Sequence, residues 1–248
     1  METIPIRCPA VGFAQVARWC AGLCLACSIV SGALAREPRK APWFPSQPHT
    51  ERFSWTDESS CDACTPLTPR SEWLAMAALA SLSSISFLLA PDESYGVAWS
   101  YAPNVVVLSP SSLKLPRCQL AFLVGHELVH IAQRDFDEDA HDLLVLSGKP
   151  ANWTLTGETA LSLLDGNFSL ALHMSPIWQQ QEREADWVGS LLAAQACKCS
   201  LERGALSYFS AGDQDGGGLA AAHDTDVERI NFLKAFVDSA RKLASRMP

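Results

Sequence analysis

The chain has 248 residues, of which 48% are hydrophobic and 19% are charged, and its formal net charge is −8. This length suits one domain or a small pair with a real core, and the composition excludes extensive disorder and a membrane protein with many spans. The acidic balance excludes a general nucleic-acid binder, because there is no excess of Lys and Arg to neutralise phosphates.

Residues 1–35 have the three parts of a secretory signal peptide. Arg7 and Arg18 form a basic start, an uncharged stretch follows, and the segment ends in the small-x-small sequence Ala33-Leu34-Ala35. A retained signal anchor is the alternative. We therefore expect export to the periplasm or cell envelope, with membrane association only through this N-terminal segment.

Five Cys residues follow residue 35, and an oxidising compartment makes them candidates for disulfides. The close pairs are Cys61 with Cys64 and Cys197 with Cys199, although the sequence does not fix their connectivity. A structural zinc site with four thiolates is the alternative. Cys118 is left over and is predicted to be a buried thiol.

The segment over residues 36–70 is rich in Pro and Ser, and it predicts an extended lead-in to a domain over residues 71–248. Residues 71–83 have a helical pattern that runs into a strand near residues 85–88. Since residues 73–90 carry no charge, a second membrane span is the alternative for this region.

Two further short strands are predicted over residues 96–100 and 104–108. They precede a buried helix over residues 120–133, which the acidic, solvated stretch 135–142 is expected to end. Residues 143–174 look irregular, apart from a short helix near residues 159–164, and are a candidate mobile lid.

Ser175-Pro176 predicts the start of another helix, because Ser is a good N-cap and Pro suits the first helical position. That helix is expected to end near residue 196. The glycine-rich loop around residues 216–218 is a second candidate lid, and Thr225 with Glu228 predicts a capping box that opens a last helix. The fold class predicted from these elements is α+β, mostly helical, with a small sheet.

The sequence His126-Glu127-Leu128-Val129-His130 matches the pattern H-E-x-x-H. On a helix, side chains four residues apart lie on one face, so His126 and His130 can hold a single metal ion. Glu127 lies close enough to accept a proton from water at that ion. Because the helix is otherwise apolar, Glu127 would be an uncompensated buried charge without a cation such as Zn²⁺. A satisfied His/Glu cluster in the core is the alternative.

A catalytic zinc needs a third protein ligand and an open position. The residues three and six places after His130 are not the Gly and His of a metzincin, which excludes that class. Glu182 supplies a third ligand from a second helix, whose small residues Ala185 and Gly189 allow two helices to approach closely. Asp186, one turn later, is expected to accept an N–H from a ligand histidine. An exposed charged helix face is the alternative.

The motif at residues 126–130, followed by Glu182-x-x-Ala185-Asp186, resembles the HtpX-like zinc endopeptidases, which include the CAAX prenyl proteases and periplasmic quality-control proteases. Residues 102–107 resemble the edge strand, carrying an Asn, that precedes the zinc helix of that family. Residues 223–230 resemble its late His-Pro-x-x-x-x-Arg-Ile element, with Asp in place of Pro. The resemblance covers residues 71–245 and implies a zincin-like metallopeptidase domain.

That resemblance also implies roles for two residues of the late element. His223 would stabilise the oxyanion that forms during hydrolysis, and Arg229 would anchor the residues that support the zinc ligands. Neither role follows from the residues by themselves, since a His before a capped helix is more often on the surface.

Together these residues predict an exported zinc-dependent metalloendopeptidase. One Zn²⁺ is expected to be held by His126, His130 and Glu182, with Glu127 as the general base. Its partners would be protein or peptide substrates, such as envelope or misfolded proteins, and an extended substrate would add as a strand beside residues 104–108. The alternatives are a zinc-binding chaperone or interaction module without turnover, and a metal-dependent amidase acting on cell-wall peptides.

Overall fold

The computed structural model describes residues 61, 63–93, 97–101, 104–150, 157–164, 167–212 and 223–244. The predicted signal, most of the lead-in and the glycine-rich loop at residues 216–218 lie outside these residues. The chain divides into two compact units. Thr50–Lys234 is the larger unit, and the other comprises Met1–His49 with Ala235–Pro248, of which only the helical residues 235–244 are described.

The described residues form an α+β fold that is mostly helical, which confirms the predicted class. A 3₁₀ turn spans Ser112–Lys114 and a π-helical turn spans Glu202–Leu206. The strands are β1 (Thr65–Pro66), β2 (Ser86–Leu89), β3 (Ala98–Tyr101) and β4 (Val105–Leu108). The helices are α1 (Ser71–Leu79), α2 (Arg117–Gln133), α3 (Asp135–Leu146), α4 (Gly157–Leu164), α5 (Phe168–Cys197), α6 (Ser207–Ala211) and α7 (Asp226–Ala244).

The four strands form one sheet in the order β1-β2-β4-β3. β4 pairs in parallel with β2 and antiparallel with β3, so its backbone groups are used on both sides. The prediction that residues 104–108 offer an edge to a substrate is therefore wrong. In the sheet of the described residues the outer strand is β3, which pairs only with β4.

The uncharged run over residues 73–90 is a helix followed by a strand, not one membrane-spanning helix. Ser81 takes a left-handed conformation, with φ of 61°, and turns the chain after α1. Trp73 of α1 and Phe87 of β2 are both buried, and their ring centroids lie 5.3 Å apart. Among the described residues, no helix combines the length and the apolar character that crossing a membrane requires.

Helices α2 and α5 pack directly against each other through two glycines. A Cβ atom on Gly125 would lie 2.6 Å from the carbonyl oxygen of Gly189, and one on Gly189 would lie 2.6 Å from the backbone nitrogen of His126. No side chain fits in that space, so the backbones touch. The predicted close approach of two helices is confirmed, and it sets the H-E-x-x-H helix against the helix that carries Glu182.

The acidic stretch after α2 is itself a helix, which corrects the sequence prediction. Arg134 takes a left-handed conformation, with φ of 63°, and the chain turns there from α2 into α3. The described residues between 143 and 174 are also more regular than predicted, because apolar side chains of α3 pack on the first turns of α5. The buried side chains in this cluster include Leu143, Leu144, Leu170 and Met174.

Helix α5 begins at Phe168, seven residues before the predicted start at Ser175-Pro176. Asn167 is the N-cap, and its side-chain oxygen accepts a hydrogen bond from the backbone N–H of Leu170 at 3.1 Å. Pro176 lies inside the helix and costs it one backbone hydrogen bond. Burial of the turns before Pro176 outweighs the loss of that hydrogen bond. The pair Ser175-Pro176 shows only that a helix could begin there, not that it must.

The disulfides join Cys61 to Cys64 and Cys118 to Cys199. The second bridge links Cys118 at the start of α2 to Cys199, two residues after the end of α5. Among the described cysteines the free thiol is Cys197, which is buried. The prediction for Cys118 is therefore wrong, and these described cysteines form no four-thiolate site. The end of α5 explains why Cys199, and not Cys197, pairs with Cys118. Cys197 still lies inside α5, whereas Lys198 takes a left-handed conformation and directs Cys199 towards α2.

Candidate metal centre

The three predicted metal ligands come together between α2 and α5. The Nε2 atoms of His126 and His130 lie 3.0 Å apart. One carboxylate oxygen of Glu182 lies 3.4 Å from Nε2 of His126, and its other oxygen lies 3.4 Å from Nε2 of His130. One ligand atom from each residue falls within a group no wider than 4.8 Å, so the three side chains form a candidate metal-binding triad.

Both histidines of the triad are oriented by carboxylates on their far side. Asp186 lies 3.0 Å from Nδ1 of His126, as the sequence predicts, and Asp135 lies 2.6 Å from Nδ1 of His130. Each carboxylate accepts the Nδ1–H, which turns Nε2 of the same ring towards Glu182. Sequence reasoning missed Asp135 by assigning it to a solvated stretch, although a ligand histidine generally needs such a partner.

Arg229 supports the triad from α7. Its Nε and one terminal nitrogen donate to the two carboxylate oxygens of Asp186 at 2.7 and 2.5 Å. The same terminal nitrogen lies 3.1 Å from Glu182. Asp186 is fully buried and Arg229 is 8% exposed, so the guanidinium balances a charge that would otherwise be costly. The arginine that the resemblance singled out thus contacts both a triad member and the residue that orients another.

His223 does not join the triad. It is half-buried, its Nδ1 lies 3.4 Å from the carbonyl oxygen of Asp224, and it is not among the described residues that line the cavity beside the triad. Asp224, which stands where the resembling family has Pro, accepts two hydrogen bonds from Arg183 at 2.5 and 2.9 Å. This pair, which the sequence did not reveal, ties the segment before α7 to α5.

The triad opens into a cavity of about 310 Å³. Glu127 lines this cavity and is 6% exposed, and no side chain among the described residues hydrogen-bonds or ion-pairs with its carboxylate. A buried carboxylate without a partner calls for a bound cation or proton donor. The other lining residues are Ala98, Trp99, Ser100, His126, His130, Asp135, Phe136, Asp139, Trp178, Gln181 and Glu182.

The electrostatics of the triad favour positive charge at its centre. Burial alone would lower the pKa of His126, but Glu182 and Asp186 raise it to about 9. Burial opposes protonation of His130 as well, and Asp135 and Glu182 nevertheless hold its pKa well above the ordinary value. Burial would raise the pKa of Glu182, yet the two histidines hold it well below its usual range. A metal ion can take the place of the protons held here.

The geometry of the triad fits a small tetrahedral ion. Zinc bonds of about 2.0–2.1 Å in a tetrahedron place neighbouring ligand atoms about 3.3 Å apart. The imidazole nitrogens lie 3.0 Å apart, and each lies 3.4 Å from a different carboxylate oxygen of Glu182, which is close to that value. Two imidazoles with one carboxylate are also a donor set that zinc enzymes use.

Metal-free protein is expected to lose stability as the pH rises from about 6.5 to about 9. The folded-state pKa of His126, about 9, lies above its unfolded value of 6.5, so its stabilising charge is complete below pH 6.5 and is lost as the pH passes 9. The loss expected from His126 alone is about 3 kcal/mol. Urea unfolding with a chelator, at pH 6 and at pH 9.5, measures it.

The variant His126→Gln should reduce this pH dependence, whereas the part that His130 contributes should remain, because the pKa of His130 is also held well above its ordinary value. The matched control is His173→Gln, because His173 is an exposed histidine of α5 and should leave the dependence unchanged. An equal pH dependence in His126→Gln and the wild type would contradict the assignment.

Comparison with known proteins does not assign the chain to a family. No family model matches the chain, and no curated protein matches it significantly. The resemblance to HtpX-like endopeptidases therefore depends on the motif residues alone.

Proposed function

We propose that the protein is an exported zinc-dependent endopeptidase of the HtpX-like type. One observation carries the proposal: a triad of two histidines and a glutamate opens into the same cavity as Glu127, a buried carboxylate that lacks a partner among the described residues. Two disulfides support export, because such bonds are typical of oxidising compartments.

His126, His130 and Glu182 would hold the zinc ion. When bound there, Zn²⁺ would polarise a peptide carbonyl and make water more acidic. Asp186 and Asp135 fix the two imidazoles through Nδ1, so Nε2 of each ring faces the centre and would be the atom that binds the ion. Three protein ligands leave a fourth position open, as catalytic zinc sites require.

Glu127 is the general base of the proposed reaction. Its carboxylate accepts a proton from the attacking water, and it later donates that proton to the amine that leaves. Glu127 is buried, and no side chain among the described residues hydrogen-bonds or ion-pairs with its carboxylate, so its oxygens can accept that proton. Proton transfer therefore gives a reason for a buried carboxylate at this position, which packing of the fold would not.

The peptide substrate would lie along β3. Three residues of this outer strand, Ala98, Trp99 and Ser100, line the cavity. A strand that is paired on one side offers backbone N–H and C=O groups to an extended peptide on its other side. A peptide added there would cross the cavity next to the triad, which favours cleavage inside a chain.

A zinc-binding module without turnover is the second candidate, and the position of His223 favours it. The oxyanion role that the resemblance gave to His223 has no support from the described cavity lining. Glu127 argues for catalysis, because a site kept only for structure has no need of a buried, unpartnered carboxylate. Casein digestion with and without a chelator separates these two functions.

Glu182→Ala is expected to lower zinc affinity by about 100-fold or more and to abolish digestion of casein. The wild type should bind about one zinc ion per chain by elemental analysis. The matched control is Glu184→Ala, because Glu184 is an exposed carboxylate of the same helix and should keep both properties. Zinc content at the wild-type level in Glu182→Ala would contradict the proposed ligand set.

A further inference from the structure

Asp139 lines the cavity, and the proposed mechanism does not use it. It lies on α3, where Gln181 of α5 donates a hydrogen bond to its Oδ1 at 3.1 Å. The same amide nitrogen also donates to Glu138 at 3.2 Å, and Gln181 is buried, so Asp139 is held in position across two helices. Among the described residues no Lys or Arg pairs with Asp139.

Carboxylates outnumber the two histidines among the ionisable side chains that line the cavity. Glu127, Asp135, Asp139 and Glu182 contribute four carboxylates to its lining, and the described lining residues include no Lys or Arg. A divalent ion at the triad would offset two of these charges, and Arg229 lies behind the triad, where it also contacts the buried Asp186. A cavity of one charge sign with low-dielectric walls concentrates ligands of the opposite charge.

Aromatic side chains form the apolar part of the lining. Trp99 comes from β3, Phe136 from α3 and Trp178 from α5. Aromatic faces attract guanidinium and ammonium groups and also pack on the alkyl stems that carry them. The volume of about 310 Å³ lies at the small end of the range for ligand pockets, which suits one long side chain rather than a long segment.

We infer that the cavity selects substrates with a cationic side chain, Lys or Arg, next to the bond that is cut, and that Asp139 pairs with that charge. This inference rests on the proposed peptidase function. A free α-amino group at the end of a peptide has the same ammonium chemistry, so the test must distinguish the two sources. An acidic side chain in this position would be repelled. A neutral one would offer Asp139 no opposite charge, and burial raises the pKa of this carboxyl to about 7.

The cleavage test compares Arg with citrulline, which has the same shape but no charge. N-acetylated fluorogenic peptides carry one or the other on either side of the cleaved bond. The wild type should prefer Arg by about tenfold in kcat/KM, and Asp139→Asn should reduce this preference to less than about threefold. Asp137→Asn, on the same helix but outside the cavity lining, is the matched control and should keep the preference.

A third peptide, with a free α-amino group and no Arg, distinguishes the source of the cation. It should be cut no faster than its acetylated counterpart. A preference confined to the free α-amino group would overturn the assignment to a side chain.

A binding test separates this inference from the proposed function. Zinc-loaded Glu127→Gln protein is titrated with the Arg and citrulline peptides, and the fluorescence of the cavity tryptophans reports binding. Arg should bind about tenfold more tightly, and the added Asp139→Asn change should remove the difference. If the wild type cuts no peptide, the proposed function fails while the binding preference still supports the cationic site. Equal cleavage and equal binding of both peptides would overturn this inference alone.

Discussion

Glu127→Gln is expected to lower peptide hydrolysis by about 10³-fold or more while the protein keeps its fold and its zinc. The amide has the shape of the carboxylate but cannot accept a proton from water. Glu127 is not one of the three triad ligands, and no described side chain pairs with it, so the change breaks no ion pair. Since no hydrogen bond or ion pair is lost, the stability of the protein should stay close to that of the wild type.

Three measurements define the outcome of this change: kcat/KM on a fluorogenic peptide, zinc per chain and the midpoint of urea unfolding. Glu184→Gln is the matched control, since it makes the same chemical change at an exposed position of α5 and should alter none of them. Hydrolysis at the wild-type rate in Glu127→Gln would contradict a general-base role. If Glu127→Gln lost both zinc and activity, the role of Glu127 would instead be to support zinc binding.

The zinc ligands could be predicted because their geometry is local. The spacing of His126 and His130 places them on one helix face whatever the rest of the fold does. Asp135 could not be placed in the same way. Its contact with His130 depends on the left-handed turn at Arg134, which brings a residue from a new helix back over the end of α2. Nothing in the local pattern distinguishes that turn from a solvated helix end.

Non-local pairing limited the prediction of the sheet. Three of its four strands were predicted from local composition, but their order in space depends on a parallel pairing between β2 and β4 that no sequence period encodes. The outer strand is therefore β3 rather than the strand that precedes the zinc helix. The pairing of Cys118 with Cys199 is non-local in the same way, since 81 residues separate them.

The contact between α2 and α5 connects the fold to the site. Gly125 and Gly189 let the two backbones touch one residue before His126 and one turn after Ala185. The separation of the helices at this point sets the distance from Glu182 to the two histidines. The same contact places Asp186 within reach of His126. The positions of the ligands and of this orienting carboxylate therefore depend on the absence of a side chain at Gly125 and at Gly189.

Gly189→Ala is accordingly expected to destabilise the fold by about 3 kcal/mol and to abolish zinc binding. The added Cβ would lie 2.6 Å from the backbone nitrogen of His126 and 2.9 Å from its Cα. Backbone cannot rotate away as a flexible side chain would, so the helices must separate. Their separation would draw Glu182 away from the histidines. Urea unfolding and zinc per chain measure the two effects.

Gly204→Ala is the matched control, because its Cβ would lie 3.3 Å from the nearest atom, the carbonyl oxygen of Cys118. That contact is tight but can relax, and the cost should stay below about 1 kcal/mol with zinc binding kept. Glu182→Ala separates the two effects of Gly189→Ala, since it removes a ligand without forcing the helices apart. If Gly189→Ala kept wild-type zinc affinity, the distance between the helices would not be what holds the triad together.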